Sequence, residues 1–116
     1  MKTQKSILIV DDDKMLATIL QDSLKEQGHK VLRCHNGIDA MEYAEKQSFD
    51  VFLVDYYMPG MTGGEFAKAA RDRFGDSLII GYSGRKVKHE FMKAGANVFL
   101  QKPFDFSELL SLINLR

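Results

Sequence analysis

Ile7-Leu8-Ile9-Val10-Asp11-Asp12-Asp13-Lys14-Met15 sets four apolar residues directly against three carboxylates. The apolar run lacks polar alternation, which predicts a strand covered on both faces. Two unit charges about 4 Å apart in a partly screened site repel by roughly 4 kcal/mol. That is a large share of the about 5–15 kcal/mol that holds a domain folded. Like charges crowded where a buried strand ends therefore need an offset.

Working outward from residues 7–15, short apolar runs recur at Ser6–Val10, Lys30–Cys34, Val51–Val54, Leu78–Tyr82 and Val98–Leu100. Between them the period changes to that of a helix. Leu16, Leu20 and Leu24, with Ile19 beside them, form one stripe; Ile38, Met41 and Ala44 form a second, and Phe66, Ala70 and Phe74 a third. Val87 with Phe91 is a weaker fourth stripe, and Phe106, Leu109, Leu110 and Ile113 make the fifth. Gly28, Gly75 and Gly95 stand where these helices should stop. Thr62 with Glu65, and Asp105 with Phe106-Ser107-Glu108, read as capping boxes that open the third and fifth helices.

Five alternating strand and helix units imply an α/β fold with a parallel sheet flanked by helices on both faces. In such open sheets, ligands bind beyond the carboxyl ends of the strands, where the strand order reverses. That rule places the site before any motif is considered.

The chain has 116 residues, 45% of them hydrophobic, so it is expected to form one domain, 1–116, with a substantial core. Sixteen basic residues balance sixteen acidic ones, which gives no basic excess for direct nucleic-acid or anionic-membrane binding. Cys34, the single cysteine, has no partner within the chain and reads as a reduced, buried packing thiol. The polar MKTQKS start and the short apolar runs predict neither a signal peptide nor a membrane anchor, in keeping with a cytoplasmic location. His29, His35 and His89 lack ligand-spaced partners and read as surface residues. His89 and Glu90 begin like the helical zinc motif, but Lys93 stands where the second histidine is needed.

Asp11 and Asp12 follow the first strand, and Asp55 closes the third. If those strands are neighbours, the three carboxylates converge and a divalent cation is the simplest offset to their repulsion. Oxygen ligands of this kind suit Mg2+, which also accepts a phosphate oxygen. Ser83 ends the fourth strand and Lys102 the fifth. A hydroxyl, the Gly84 amide, an ammonium and a cation around one carboxylate form a set that can receive the charge of a phosphoryl group. Asp13 reads instead as the N-cap of the first helix.

Asp11-Asp12, then Asp55 with Met58-Pro59 and Gly63, then Ser83, then Lys102-Pro103-Phe104 resemble the response-regulator receiver domain of two-component signalling, and the chain is similar to chemotaxis regulators. The resemblance implies a flavodoxin-like, doubly wound, five-stranded parallel sheet of order 2-1-3-4-5 with five helices, an order that chemotaxis regulators themselves exemplify. It implies Asp55 as phosphoacceptor, with a sensor histidine kinase or phosphotransfer protein as donor. Asp12 would hold Mg2+ directly, Asp11 mainly through water, and Tyr57 through its backbone carbonyl. Ser83, Gly84 and Lys102 would bind the phosphoryl group, and the peptide bond before Pro103 would be cis. Ser83 and Phe99 would form the switch that reshapes the surface of the fourth helix, fifth strand and fifth helix. That surface would meet an output partner or a second copy of the chain, and the domain would not be an enzyme with a separate substrate.

Several residues depart from the common pattern. Phe99 stands where many relatives have tyrosine, so a switch using a hydroxyl hydrogen bond is absent. Gly81 and Gly84 flank Tyr82-Ser83 and are expected to loosen that loop. Tyr57 and Arg85 occupy positions that influence phosphate loss in the family. Three other functions fit these residues less well. An aspartate-nucleophile phosphatase resembles a D-x-D-x-[TV] signature, which Asp11-Asp12-Asp13-Lys14 fails at its last position. A purely interacting domain of the same fold is a second alternative. Flavin binding is a third, disfavoured because three acids would repel its phosphate.

Overall fold

Side-chain alternation divides the strand residues between two apolar layers, and the helices cover both. In a computed structural model of the chain, describing residues 3–115, the strands are β1 (Ser6–Val10), β2 (Lys30–Cys34), β3 (Val51–Asp55), β4 (Leu78–Ser83) and β5 (Val98–Gln101). The helices are α1 (Lys14–Glu26), α2 (Gly37–Lys46), α3 (Gly63–Phe74), α4 (Lys88–Ala94) and α5 (Phe106–Asn114). Met1 and Lys2 of the polar start, and Arg116, lie outside the described residues.

All pairings are parallel and the strand order is β2-β1-β3-β4-β5. β1 thus lies between β2 and β3: the crossover from β1 to β2 runs one way and the crossover from β2 to β3 returns past β1 the other way, which makes this the reversal point. Val10 pairs with Val54, and Val54 with Gly81; one residue further, Asp55 pairs with Tyr82. This register brings Asp11 and Asp55 to the same edge.

Ile7, Ile9, Leu53, Ile80 and Leu100 face one layer, packed with Leu20 and Leu24 of α1 and Leu109 and Ile113 of α5. Leu8, Val10, Phe52 and Val54 face the other, packed with Ala40 and Ala44 of α2, Phe66 and Ala70 of α3 and Phe91 of α4. β1, β3 and β4 are buried nearly throughout, while edge strand β2 buries only Val31 and Cys34 and exposes Lys30, Leu32 and Arg33.

Most helix ends carry the caps that the sequence predicts, with exceptions. Asp13 accepts the Leu16 N–H as N-cap of α1, and Thr62 with Glu65 forms a reciprocal capping box on α3. Asp105 is the N-cap of α5 but makes no side-chain cap bond, so the second capping box does not form. Ile19 and Ile38 are exposed. On α2 the buried face is instead Gly37, Ala40 and Ala44, small residues that bring the helix close; a Cβ on Gly37 would lie 2.7 Å from the Met61 sulfur.

His29 corrects the surface reading: it is buried, and its Nδ1 accepts the Lys5 backbone N–H at 3.0 Å. Burial, with the Lys5 charge as a lesser cause, lowers its pKa against the opposing effect of the Asn114 side chain. Gly81 corrects another expectation. It sits inside β4 under the Phe91 ring rather than in a loosened loop.

Candidate functional site at the carboxyl edge

β1 ends at Val10, and the next residue, Asp11, is completely buried. Its two oxygens take different donors. Oδ1 accepts the Asp13 N–H at 2.9 Å, and Oδ2 accepts the Tyr82 hydroxyl at 2.7 Å. Charge-assisted bonds of this kind lower the cost of holding a buried carboxylate ionised. Asp12, by contrast, is exposed beside it.

Asp55 ends β3 and is also buried. One oxygen from each of Asp11, Asp12 and Asp55 lies within 4.8 Å of the others. The Lys102 Nζ lies 3.4 Å from Asp55 Oδ1. Burial first, and Asp11 second, push the Asp55 carboxyl up to about 6, even though Lys102 opposes both. One ammonium does not neutralise this cluster. The residual negative potential and the all-oxygen donor set fit a divalent cation, with Asp11, Asp12 and Asp55 as the side chains able to hold it. The repulsion at residues 11–13 therefore has three offsets: hydrogen bonds to Asp11, the α1 N-terminus capped by Asp13, and room for a cation.

Ser83 is buried at the end of β4, with its hydroxyl accepting the Arg85 N–H at 3.1 Å. The Lys102 N–H bonds the Ser83 carbonyl at 2.8 Å, which ties the ends of β4 and β5 together. Gln101 adds a side-chain bond to the Gly84 carbonyl. Gly84 is exposed, with open space where a Cβ would lie. The Lys102–Pro103 bond is cis, as the resemblance implied.

On the strand order, register and spaced motifs together, the chain matches the response regulator receiver domain family over residues 7–114. The chain belongs to the response-regulator receiver family. Receiver domains are signalling domains of two-component systems that work with histidine kinases and output domains. This receiver is 37% identical over 110 residues to the transcriptional regulatory protein ZraR of Klebsiella oxytoca, covering 91% of this chain and 25% of that protein. It is similar to the receiver domain of the Francisella response regulator 1452, with 27% identity and a TM-score of 0.90, covering 97% and 95% of the two chains. The Thermotoga maritima response regulator TrrA, solved in complex with Mg(2+)-BeF, is 28% identical with a TM-score of 0.88, covering 95% and 96%. The chain spans about half or less of the curated relatives it matches.

At the mouth of this receiver's site, the Arg85 guanidinium lies 4.9 Å from the centre of the half-exposed Tyr57 ring, which itself meets Tyr56 edge-on. Phe99 is partly buried, its ring 5.9 Å from that of Phe91. The residue that sequence reasoning missed is Tyr82. Burial and the adjacent Asp11 carboxylate push its phenol well above the ordinary range, so it is a donor at neutral pH. Its signal was a polar-tipped aromatic in an otherwise apolar strand, one residue from Ser83 and therefore on the opposite face.

No helix among the described residues is long and apolar enough to cross a membrane.

Proposed function

We propose that this receiver is a cytoplasmic phosphorylation-activated switch whose phosphoacceptor is Asp55. The observation that carries the reading is the Asp55 carboxylate at the reversal point, 3.4 Å from Lys102 and grouped with Asp11 and Asp12. An Asp55 oxygen attacks phosphorus, the bond from phosphorus to a donor imidazole nitrogen of a histidine kinase or phosphotransfer protein breaks, and the imidazole leaves with the bonding pair. Lys102, the Ser83 hydroxyl and the Gly84 amide receive the phosphoryl oxygens. Asp11, Asp12 and Asp55 would hold Mg2+, with the Tyr57 backbone carbonyl as a further oxygen donor. When bound, the cation neutralises charge shared between Asp55 and the incoming group. The Mg(2+)-BeF complex of TrrA supports extending this chemistry to the present chain.

Asp11 is the poorer nucleophile, since its oxygens already accept bonds from Asp13 and Tyr82. This favours the receiver reading over an aspartate-nucleophile phosphatase. Added charge at Asp55 draws Ser83 inward, Phe99 repacks, and the α4, β5 and α5 surface changes shape to control an output protein or self-association. The domain assists its own phosphorylation without turning over a separate substrate, and it binds neither nucleic acid nor membrane directly.

A groove of about 450 Å³ between α1 and the start of α5 is lined by Leu16, Ile19, Leu20, Phe104 and Lys102. It is continuous with the site through Lys102, and Ile19 of its lining is exposed. This continuity suits a helix of the phosphodonor protein, whose histidine must reach Asp55 across the same edge.

Incubation with acetyl phosphate, with and without Mg2+, tests the reading by intact mass. One phosphoryl group should appear only with Mg2+, and Asp55→Asn should abolish it. Undiminished labelling of Asp55→Asn rejects Asp55 as acceptor, and labelling lost instead in Asp11→Asn favours the phosphatase chemistry.

A further inference from the structure

Tyr82 is 1% exposed, and its two ends touch two different charged groups of the site. The hydroxyl donates to Asp11 Oδ2 at 2.7 Å, across 71 positions of chain. The ring carries the Lys102 Nζ over its face, 4.8 Å from the centroid. Phe104 holds the ring from the side, edge-on, with centroids 5.8 Å apart. Lys102 in turn reaches Asp55 at 3.4 Å. One rigid side chain thus links a cation-ligand carboxylate to the lysine that faces the acceptor.

A buried phenol needs an acceptor in any core. Three features take this contact beyond that requirement. The acceptor is a fully buried acid, and its other oxygen is taken by the Asp13 N–H, so the carboxylate is held from both sides and its rotation is set. The lone pairs left over are those available to the shared cluster of Asp11, Asp12 and Asp55. An ammonium over an aromatic face is attracted by the ring quadrupole, more strongly where water is scarce.

We propose that Tyr82 is a positioning residue with two separable parts: its hydroxyl presets Asp11 for the divalent cation, and its ring holds Lys102 within reach of Asp55. This rests on the cation and acceptor roles proposed above. Partners behind a metal ligand typically contribute 10–100-fold to metal affinity. The hydroxyl should therefore govern cation binding and the ring should govern the step at Asp55.

Two variants separate these parts. Tyr82→Phe removes the hydroxyl and keeps the ring; Tyr82→Leu removes both. Titration with MgCl2, followed by amide NMR shifts, should show the dissociation constant rising about tenfold or more in Tyr82→Phe. Its phosphorylation rate by acetyl phosphate at saturating Mg2+ should stay near wild type. Tyr82→Leu should lose affinity and also phosphorylate at least severalfold more slowly at saturation. A role confined to stability would lower the melting temperature and leave this division unmoved. The Lys102 εCH2 protons provide a readout in the wild-type protein, since the ring beneath should shift them upfield, in Tyr82→Phe as well.

Wild-type Mg2+ affinity in Tyr82→Phe overturns the hydroxyl role, and Lys102 εCH2 shifts at random-coil values overturn the ring role. Asp12→Ala distinguishes these failures from failure of the underlying reading. If Asp12→Ala also binds Mg2+ normally, the cation site itself is wrong; if it alone loses Mg2+, only the part played by Tyr82 falls.

Discussion

Gly81 lies under the ring of Phe91: a Cβ built on it would stand 2.5 Å from the ring atoms. Phe91 is completely buried and packs edge-on against Tyr56 and at a tilt against Phe99. The same ring also blocks a Cβ at Gly63, which would lie 2.8 Å from its Cζ and 2.2 Å from the Asp55 carbonyl. α4 is therefore seated by one aromatic ring pressed against two glycine backbones, Gly81 in β4 and Gly63 at the start of α3. Gly81→Ala should destabilise the domain by about 1–3 kcal/mol, the usual range for overpacking a dense core. Urea denaturation should show a lower midpoint with an unchanged slope, and an unchanged midpoint would mean that α4 shifts without cost.

Cys34 closes β2 and is buried, and its thiol is pushed up to about 11 by burial, with the Asp39 charge adding to it. Thiolate is the reactive form, so at pH 8 the folded protein should alkylate about a hundredfold more slowly than the unfolded chain. Timed iodoacetamide labelling in buffer and in urea measures this. Equal rates would place the thiol at the surface.

Ile19 supplies the exposed rim of the groove beside Lys102. Ile19→Glu puts a charge on apolar contact surface without touching Asp55. Phosphotransfer from a phosphohistidine protein should slow roughly tenfold, equivalent to about 1.4 kcal/mol of lost contact. The rate from acetyl phosphate should remain as in wild type. Equal slowing with both donors would assign Ile19 to the fold and not to docking.

The carboxyl-edge cluster was legible because each member stands at a strand end that apolar periodicity marks directly: Asp11, Asp55, Ser83 and Lys102 all fall where a run stops. Periodicity alone does not order strands, so the 2-1-3-4-5 arrangement came with the resemblance and was then found in the register. Tyr82 was missed because its partner lies 71 positions away, beyond any local pattern. His29 was misread for a similar reason: its burial is tertiary, and so are its bond from the Lys5 N–H and its Asn114 contact at the end of α5. Ile19 reads as a neighbour of the first apolar stripe but is exposed. Leu16, Ile19 and Leu20 are all apolar, and only the seating of α1 on β1 and β2 decides which of them faces out.

His29 carries the pH prediction. Its folded pKa is lowered from 6.5, chiefly because burial disfavours the cation, and protonation at Nδ1 would remove the acceptor of the Lys5 N–H. Above 6.5 neither state holds the proton and the contribution to stability is complete. As the pH falls through that value toward the folded pKa, the unfolded chain binds protons first and stability is lost. Asp55 slopes the other way. Raised from 3.8 to about 6, it binds its proton more readily when folded, so its contribution is full below 3.8 and fades as the pH rises through about 6. The two effects overlap near pH 6, so the measurement belongs in Asp55→Asn protein without Mg2+. In that background, urea stability should fall as the pH drops below about 6.5. Adding His29→Asn, which retains an acceptor but cannot titrate, should flatten the slope; an unaltered slope would show that the imidazole is not its source.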